Sequence, residues 1–169
     1  DGATARVALL TEEGGNVALD RRKQKYSSVE EAREVLTELI GGARPLGDFL
    51  VTALPAGVGF FRRLNFPFKE KSKLAAVLPS ELDAQIPVAL NNHTCAMQAP
   101  RAQDEGYSVD AAVVDNAAIE ALLEHFPQPE QQPRRIDLFP HALAGGLGDA
   151  NGLLAYCCPN EVQVALVLE

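Results

Sequence analysis

A short apolar run over residues 3–10, the Gly/Asn-bearing run Glu12-Glu13-Gly14-Gly15-Asn16, and the return of apolar residues at Val17 and Leu19 predict a strand, a hairpin loop and a second strand. The polar residues 20–25 extend that second strand. At Ser28 the period changes: Val29, Ala32, Val35, Leu36, Leu39 and Ile40 recur at helical spacing. Ser28 with Glu31 three residues on has the form of a capping box, and Gly41-Gly42 is a stop signal.

Residues 49–54 are rich in β-formers and suit a strand buried on both faces; Pro55, Gly57 and Gly59 mark a bend before a strand over residues 60–66. Pro67 ends that strand, residues 69–78 read as a helix, and Pro79 and Pro87 bracket a second helical piece around Leu82 and Ile86. Residues 93–98 and 107–114 predict an antiparallel pair of strands joined by a polar loop over 99–106. Asn116 is placed to cap a helix whose apolar face is Ile119, Leu122, Leu123 and Phe126, and Pro127, Pro129 and Pro133 make a linker after it. A strand at 136–139, a helical turn at 140–143, a loop rich in glycine from Gly145 to Gly152, and a closing hairpin of strands 153–158 and 162–168 complete the reading.

A chain of 169 residues suits one compact domain or two small subdomains, and at 47% apolar and 22% charged it can build a sizeable core. It holds no apolar run of spanning length and no signal peptide at its start. The net charge of −8 argues against nucleic acid and stays compatible with a basic protein partner. Cys95, Cys157 and Cys158 form neither a disulfide framework nor a zinc motif, which points to a reducing compartment, the cytoplasm.

The order of elements describes an α/β unit interrupted by a smaller insert. Ala53-Leu54-Pro55, the run Phe61-Arg62-Arg63-Leu64-Asn65-Phe66-Pro67-Phe68, Leu78-Pro79 with Glu81-Leu82 and Gln85-Ile86-Pro87, and Ile136-Asp137-Leu138-Phe139-Pro140-His141-Ala142-Leu143 follow one another at characteristic spacing. In these residues, spanning most of 50–143, the chain resembles the cytoplasmic domains of the L component of bacterial type II secretion systems and the related pilus protein PilM, which are similar to actin-like ATPases. The resemblance implies an actin-like (ribonuclease H-like) subdomain from residues 1–57 and 135–151, a βαββα subdomain inserted at 58–134, and the start of a second actin-like domain at 152–169. The chain is then expected to be a fragment of a larger two-domain cytoplasmic region, with a membrane-spanning helix encoded outside it.

Candidate chemistry is sparse. Actin-like ATPases hold phosphate in two Gly-rich turns with acidic residues nearby; Asp1-Gly2-Ala3-Thr4 is placed as a remnant of the first, while Pro159-Asn160-Glu161, in the place of the second, has no glycine to form a phosphate nest. Gly145-Gly146-Leu147-Gly148-Asp149 lacks the third glycine of a dinucleotide fingerprint and reads as a flexible connection. His93, His125 and His141 have no metal-ligand spacing, and His141 reads as a helix-start residue. Cys157-Cys158 alternate faces of a strand, and no serine sits in a nucleophile elbow. No enzyme activity, cofactor or metal is expected.

Binding has more behind it. Arg62-Arg63 among Phe60, Phe61, Phe66 and Phe68 is a cationic, aromatic segment in an acidic chain, of the residue types enriched in interfaces, beside the simpler reading of a strand with one core face and solvated or paired arginines. The expected interaction residues are Arg62, Arg63, Phe66, Phe68, Glu81, Leu82 and Gln85. The resemblance implies a non-catalytic scaffold at the cytoplasmic face of the bacterial inner membrane, docking the secretion ATPase and other inner-membrane platform proteins. A homodimer is compatible with it, and the membrane is reached through segments outside this chain. The alternative it leaves open is a PilM-like or cell-division-like actin-fold protein that binds ATP.

Overall fold

A computed structural model describes residues 3–41, 50–126, 128–139, 141–142, 152–158 and 161–167. The chain divides into two compact units: Asp1–Val51 with Ala121–Arg135, and Thr52–Glu120 with Ile136–Glu169.

In the first unit, strands β1 (Ala3–Glu13) and β2 (Asn16–Tyr26) pair antiparallel in one unbroken register from Ala3 opposite Tyr26 to Glu13 opposite Asn16. The turn is only Gly14-Gly15, at φ 59° and 80°. Both turn residues must adopt positive φ if the turn is to match strand twist, which is why glycines stand there. Alternation then divides the ribbon: Ala5 and Val7 on β1 and Tyr26 on β2 meet Val35, Leu36 and Leu39 of helix α1 (Val29–Ile40). Val29 was expected on this apolar face, but it is 42% exposed.

The helix start departs in detail from the expected capping box. Ser28 is the N-cap, its Oγ accepting from the Glu31 N–H at 3.1 Å. The reciprocal arm reaches one residue further: the Glu31 carboxylate accepts from the Ser27 N–H at 2.7 Å and from the Ser27 hydroxyl at 2.6 Å. At the other end Gly41, at φ 73°, donates to Thr37 and Glu38 carbonyls, and Arg22 Nη1 donates to the Leu39 carbonyl at 3.0 Å, a cation where the helix dipole favours one. Arg33 Nε donates to the Glu124 carbonyl at 2.7 Å, tying α1 to the segment after helix α3 (Asn116–Leu123). The expected proline-rich linker holds a 3₁₀ turn, Pro129–Gln131, with Gln131 buried.

The second unit is built on strand β7 (Gly106–Asp115). Strand β4 (Gly59–Phe66) pairs antiparallel along one edge, from Gly59 opposite Val114 to Phe66 opposite Tyr107. Strands β5 (His93–Met97) and β6 (Arg101–Gln103) share the other edge, so the polar loop expected at 99–106 contributes a short strand. Helix α2 (Lys71–Asp83) covers one face, with Leu74, Leu78 and Leu82 packed against Leu64, Phe66, Val109, Ala111 and Val113. Two further antiparallel or paired ribbons complete the strands: β3 (Val51–Leu54) with β8 (Arg135–Leu138), and β9 (Gly152–Cys158) with β10 (Glu161–Val167).

Two sequence expectations are corrected here. Pro79 does not end the helix: α2 runs through it to Asp83 as one element, in place of a helix at 69–78 and a separate piece. A proline in a helix interior costs about 3 kcal/mol. Against it stand Leu74, Leu78 and Leu82 at i, i+4 and i+8, none more than 4% exposed, each contributing about 2 kcal/mol by burial. Pro79 itself lies exposed, leaving the carbonyl one turn back open to water. The cap of α3 is Asp115, whose Oδ1 accepts from the Ala117 N–H at 3.0 Å, and Asn116 instead accepts from the Thr94 hydroxyl at 2.7 Å.

The hairpin expected at 153–158 and 162–168 is observed, with Cys157 opposite Val162. The side chains of Cys157 and Cys158, and with them the expected alternation of faces, lie outside the described residues, as do the expected turns at Asp1-Gly2, Gly145-Gly148 and Pro159-Asn160 and the termini at Phe49, Pro140, Leu143 and Leu168.

Gly106 sits at φ 95°, and a Cβ there would lie 2.5 Å from the Phe66 carbonyl oxygen. Gly106→Ala is therefore expected to lower stability by more than about 2 kcal/mol, and Gly14→Ala, at φ 59° in open space, by about 1 kcal/mol; urea melts of both variants check the ranking. The Glu31 carboxyl is held below its usual range by the Ser27 hydroxyl and then the Ser27 N–H. A depressed carboxyl stabilises the fold above its unfolded-state pKa and ceases to as pH falls through the folded-state value. Melting midpoints followed from neutral to acid pH are expected to fall less steeply for Glu31→Gln than for the parent.

Candidate functional site

Alternation along β4 sends Phe60, Arg62, Leu64 and Phe66 toward α2 and Phe61, Arg63 and Asn65 to the other face. The seven residues expected to bind a partner consequently do not form one surface. Leu82 (0% exposed) and Phe66 (7%) are members of the core under α2. Phe68 is half-buried, its ring 5.7 Å from that of Phe66 and 6.0 Å below the Lys73 ammonium. Arg62 lies on the α2 side but its guanidinium escapes the core, donating to the Phe61 carbonyl at 2.8 Å and to the Gln85 carbonyl at 3.4 Å. Glu81 and Gln85 are exposed at the end of α2 and just beyond it. Arg62, Glu81, Gln85 and Phe68 thus line the helix side of the sheet, and Arg63 is alone on the opposite face.

On that opposite face lies the polar arrangement that sequence reading did not find. Asp110, 8% exposed in the middle of β7, stands directly opposite Arg63, which binds it with Nε at 2.7 Å and Nη2 at 3.3 Å. This fork raises the Arg63 pKa further above its usual value, chiefly through the hydrogen bonds to Asp110. Arg101 on β6 approaches the same carboxylate at 3.6 Å, and its Nη2 donates to Gln98 Oε1 at 3.2 Å. With Oε1 so used, the Gln98 amide nitrogen faces His141 Nε2. An amide nitrogen only donates, so Nε2 accepts and the ring proton is on Nδ1, which donates to Asp137 Oδ1 at 2.9 Å. Phe61 stacks on the same imidazole, centroids 5.6 Å apart.

The chain of contacts Arg63–Asp110–Arg101–Gln98–His141–Asp137 crosses the sheet from β4 over β7 to the end of β5. Residues 141–142 are helical, consistent with the helical turn expected there, but His141 is a junction between strands as well as part of that turn. One signal was available: Asp110 is the lone acid inside Tyr107-Ser108-Val109-Asp110-Ala111-Ala112-Val113, and a buried strand holds a carboxylate only where a cation meets it. Gln98 and Asp137 carried no comparable mark.

Burial raises the Cys95 thiol above its usual range, and this residue packs against the α2 core. Among the described residues no group of three or more His, Cys, Asp or Glu side chains could hold a metal ion, and no helix is long and apolar enough to cross a membrane.

No family model matches this sequence, and no curated protein matches it. Solved structures do. The cytoplasmic domain of EpsL, an inner membrane component of the type II secretion system of Vibrio cholerae, superposes with a TM-score of 0.67 at 17% identity. The PilM-PilN type IV pilus biogenesis complex gives 0.68 at 16%. This chain shares their fold. The likeness covers 98% of the chain but only 63% and 59% of those two, so the chain spans about three fifths of their length. The mixed α/β architecture resembles the two proteins whose families the motifs of residues 53–143 resemble.

Arg63→Ala strands the Asp110 carboxylate with only the longer Arg101 contact and is expected to cost about 2 kcal/mol. Arg101→Ala, at a 3.6 Å pair whose arginine is 62% exposed, is expected to cost under about 1 kcal/mol. Denaturant melts that gave equal costs would remove Arg63 as the anchor of this carboxylate.

Proposed function

We propose that this chain belongs to a non-catalytic scaffold at the cytoplasmic face of a bacterial inner membrane, where it serves type II secretion by docking the secretion ATPase. The observation that carries the reading is the fold likeness to the EpsL cytoplasmic domain over 98% of the chain, meeting a motif ladder in residues 53–143 that resembles the same family. In this reading residues 1–57 and 135–151 form an actin-like subdomain, 58–134 its insert, and the 152–169 hairpin opens a second domain. A scaffold also suits the polar junction: both His141 ring nitrogens are engaged, by Gln98 and Asp137, and burial pushes the Cys95 thiol up. Its docking surface would be the helix side of the insert, with Glu81 and Gln85 exposed and Arg62 half-buried over the Phe66–Leu82 core.

A PilM-like protein that binds ATP is the second reading, favoured by the equal likeness to the PilM-PilN complex. Titration calorimetry separates the two. The complete cytoplasmic domain is expected to bind the N-terminal domain of the cognate secretion ATPase, to bind it about tenfold more weakly after Glu81→Lys with Arg62→Glu, and to give no heat with ATP and magnesium. Heat with ATP and none with the secretion ATPase would transfer the conclusion to the second reading.

A further inference from the structure

The β1–β2 ribbon carries a surface of another kind. Ten of the eleven residues of β2 are exposed, and among the described residues this strand pairs on one side only, with β1. The register places Thr4, Arg6, Ala8, Leu10 and Glu12 of β1 and Val17, Leu19, Arg21, Lys23 and Lys25 of β2 on the face turned away from α1. Arg6 stands directly opposite Lys23, flanked on the same face by Arg21 and Lys25. All of these cations are exposed, and no acid among the described residues pairs with any of them. Like charges opposite one another on a ribbon are destabilising. A chain of net charge −8 has carboxylates enough to avoid this arrangement, so the concentration of cations on one face needs a counterpart. Towards the turn the same face ends in Leu10, Val17 and Leu19, exposed by 72%, 64% and 50%.

We infer that β2 is an acceptor edge for an extended acidic protein segment, which adds as a strand along residues 17–25. Its backbone would take the free hydrogen-bonding row of β2, its carboxylates would face Arg6, Arg21, Lys23 and Lys25, and an apolar residue would reach the Leu10–Val17–Leu19 end. The strand is unbroken by proline or bulge along this length, as strand addition requires. A second copy of the chain is excluded by the same cations, because edge-to-edge pairing would bring two basic strands together. The surface is distinct from the helix side of the insert and stands whether or not the secretion ATPase docks there.

The probe is a fluorescein-labelled peptide of alternating Glu and Val, about eight residues long, read by anisotropy against the complete cytoplasmic domain. It is expected to bind, more weakly as salt rises, and about tenfold more weakly to Lys23→Glu. That substitution places a carboxylate opposite Arg6, so the variant is also expected to melt at a higher temperature than the parent, which separates lost binding from lost folding. The double variant Arg21→Gln, Lys25→Gln repeats the binding test with no new charge. The same Glu–Val peptide N-methylated at every residue, equally charged but unable to donate along a strand, is expected not to bind. Equal binding of the two peptides, or binding of phosphatidylglycerol vesicles with no binding of the Glu–Val peptide, would overturn the proposal.

Discussion

The second unit depends on β7 being buried on both faces. Val109, Ala111 and Val113 point to α2 and are wholly buried; Ser108 and Asp110 point the other way and are nearly so. A strand covered twice is ordinarily apolar throughout. Here one position holds a carboxylate, and the structure must then supply a guanidinium opposite it, because an unpaired buried charge costs far more than a hydrogen bond returns. Placing Asp110 at that point therefore dictates Arg63 on β4 and brings Arg101 in on β6, and it fixes register between strands whose apolar residues alone would tolerate slippage.

The two faces of this sheet hold their neighbours by different physics. On the α2 side the attachment is non-directional: Leu74, Leu78 and Leu82 enter the core at one-turn spacing, and the area they bury is enough to carry the helix past Pro79. On the other side the attachment is directional. Gln98 turns its amide nitrogen to His141 because Arg101 holds its oxygen, and His141 Nε2 accepts because the ring proton is directed to Asp137. Such a chain specifies one arrangement of the 137–142 segment against β4 and the end of β5, where an apolar contact would permit several.

Much of the fold was legible as periodicity. The helical spacing of Ala32, Val35 and Leu39 and the β-rich runs of β4, β5 and β7 each led to the right element. The failures have physical causes. Pro79 was read by its local cost, while the decision lay in the tertiary burial of Leu82, which no local rule contains. The cap of α3 was assigned to Asn116 when an equally suitable acid preceded it. The strand β6 was invisible because its residues are polar and its pairing comes from β7. Among the candidate interaction residues, composition drew Phe66 and Arg63 together, and strand alternation puts the first in the core and the second on the opposite face. The polar junction was the least legible feature, since its members are spread over residues 63–141 and meet only through the register of the sheet.

That register also bears on what each surface can do. Arg62 is carried on β4, whose α2 face is packed, and its guanidinium is tied to the Phe61 and Gln85 carbonyls, so it is presented at a fixed position with little left to order on association. The β1–β2 ribbon is the contrary case. Only its Ala5–Val7–Tyr26 face is packed, and its outer face sustains an unrelieved row of cations. A ribbon in that state is held by its backbone ladder and by α1, and the repulsion across Arg6 and Lys23 remains as free energy that an anionic strand would release on arrival. Rigid presentation on one unit and relieved repulsion on the other are separate routes to affinity, and the first gains little from salt concentration where the second must weaken with it.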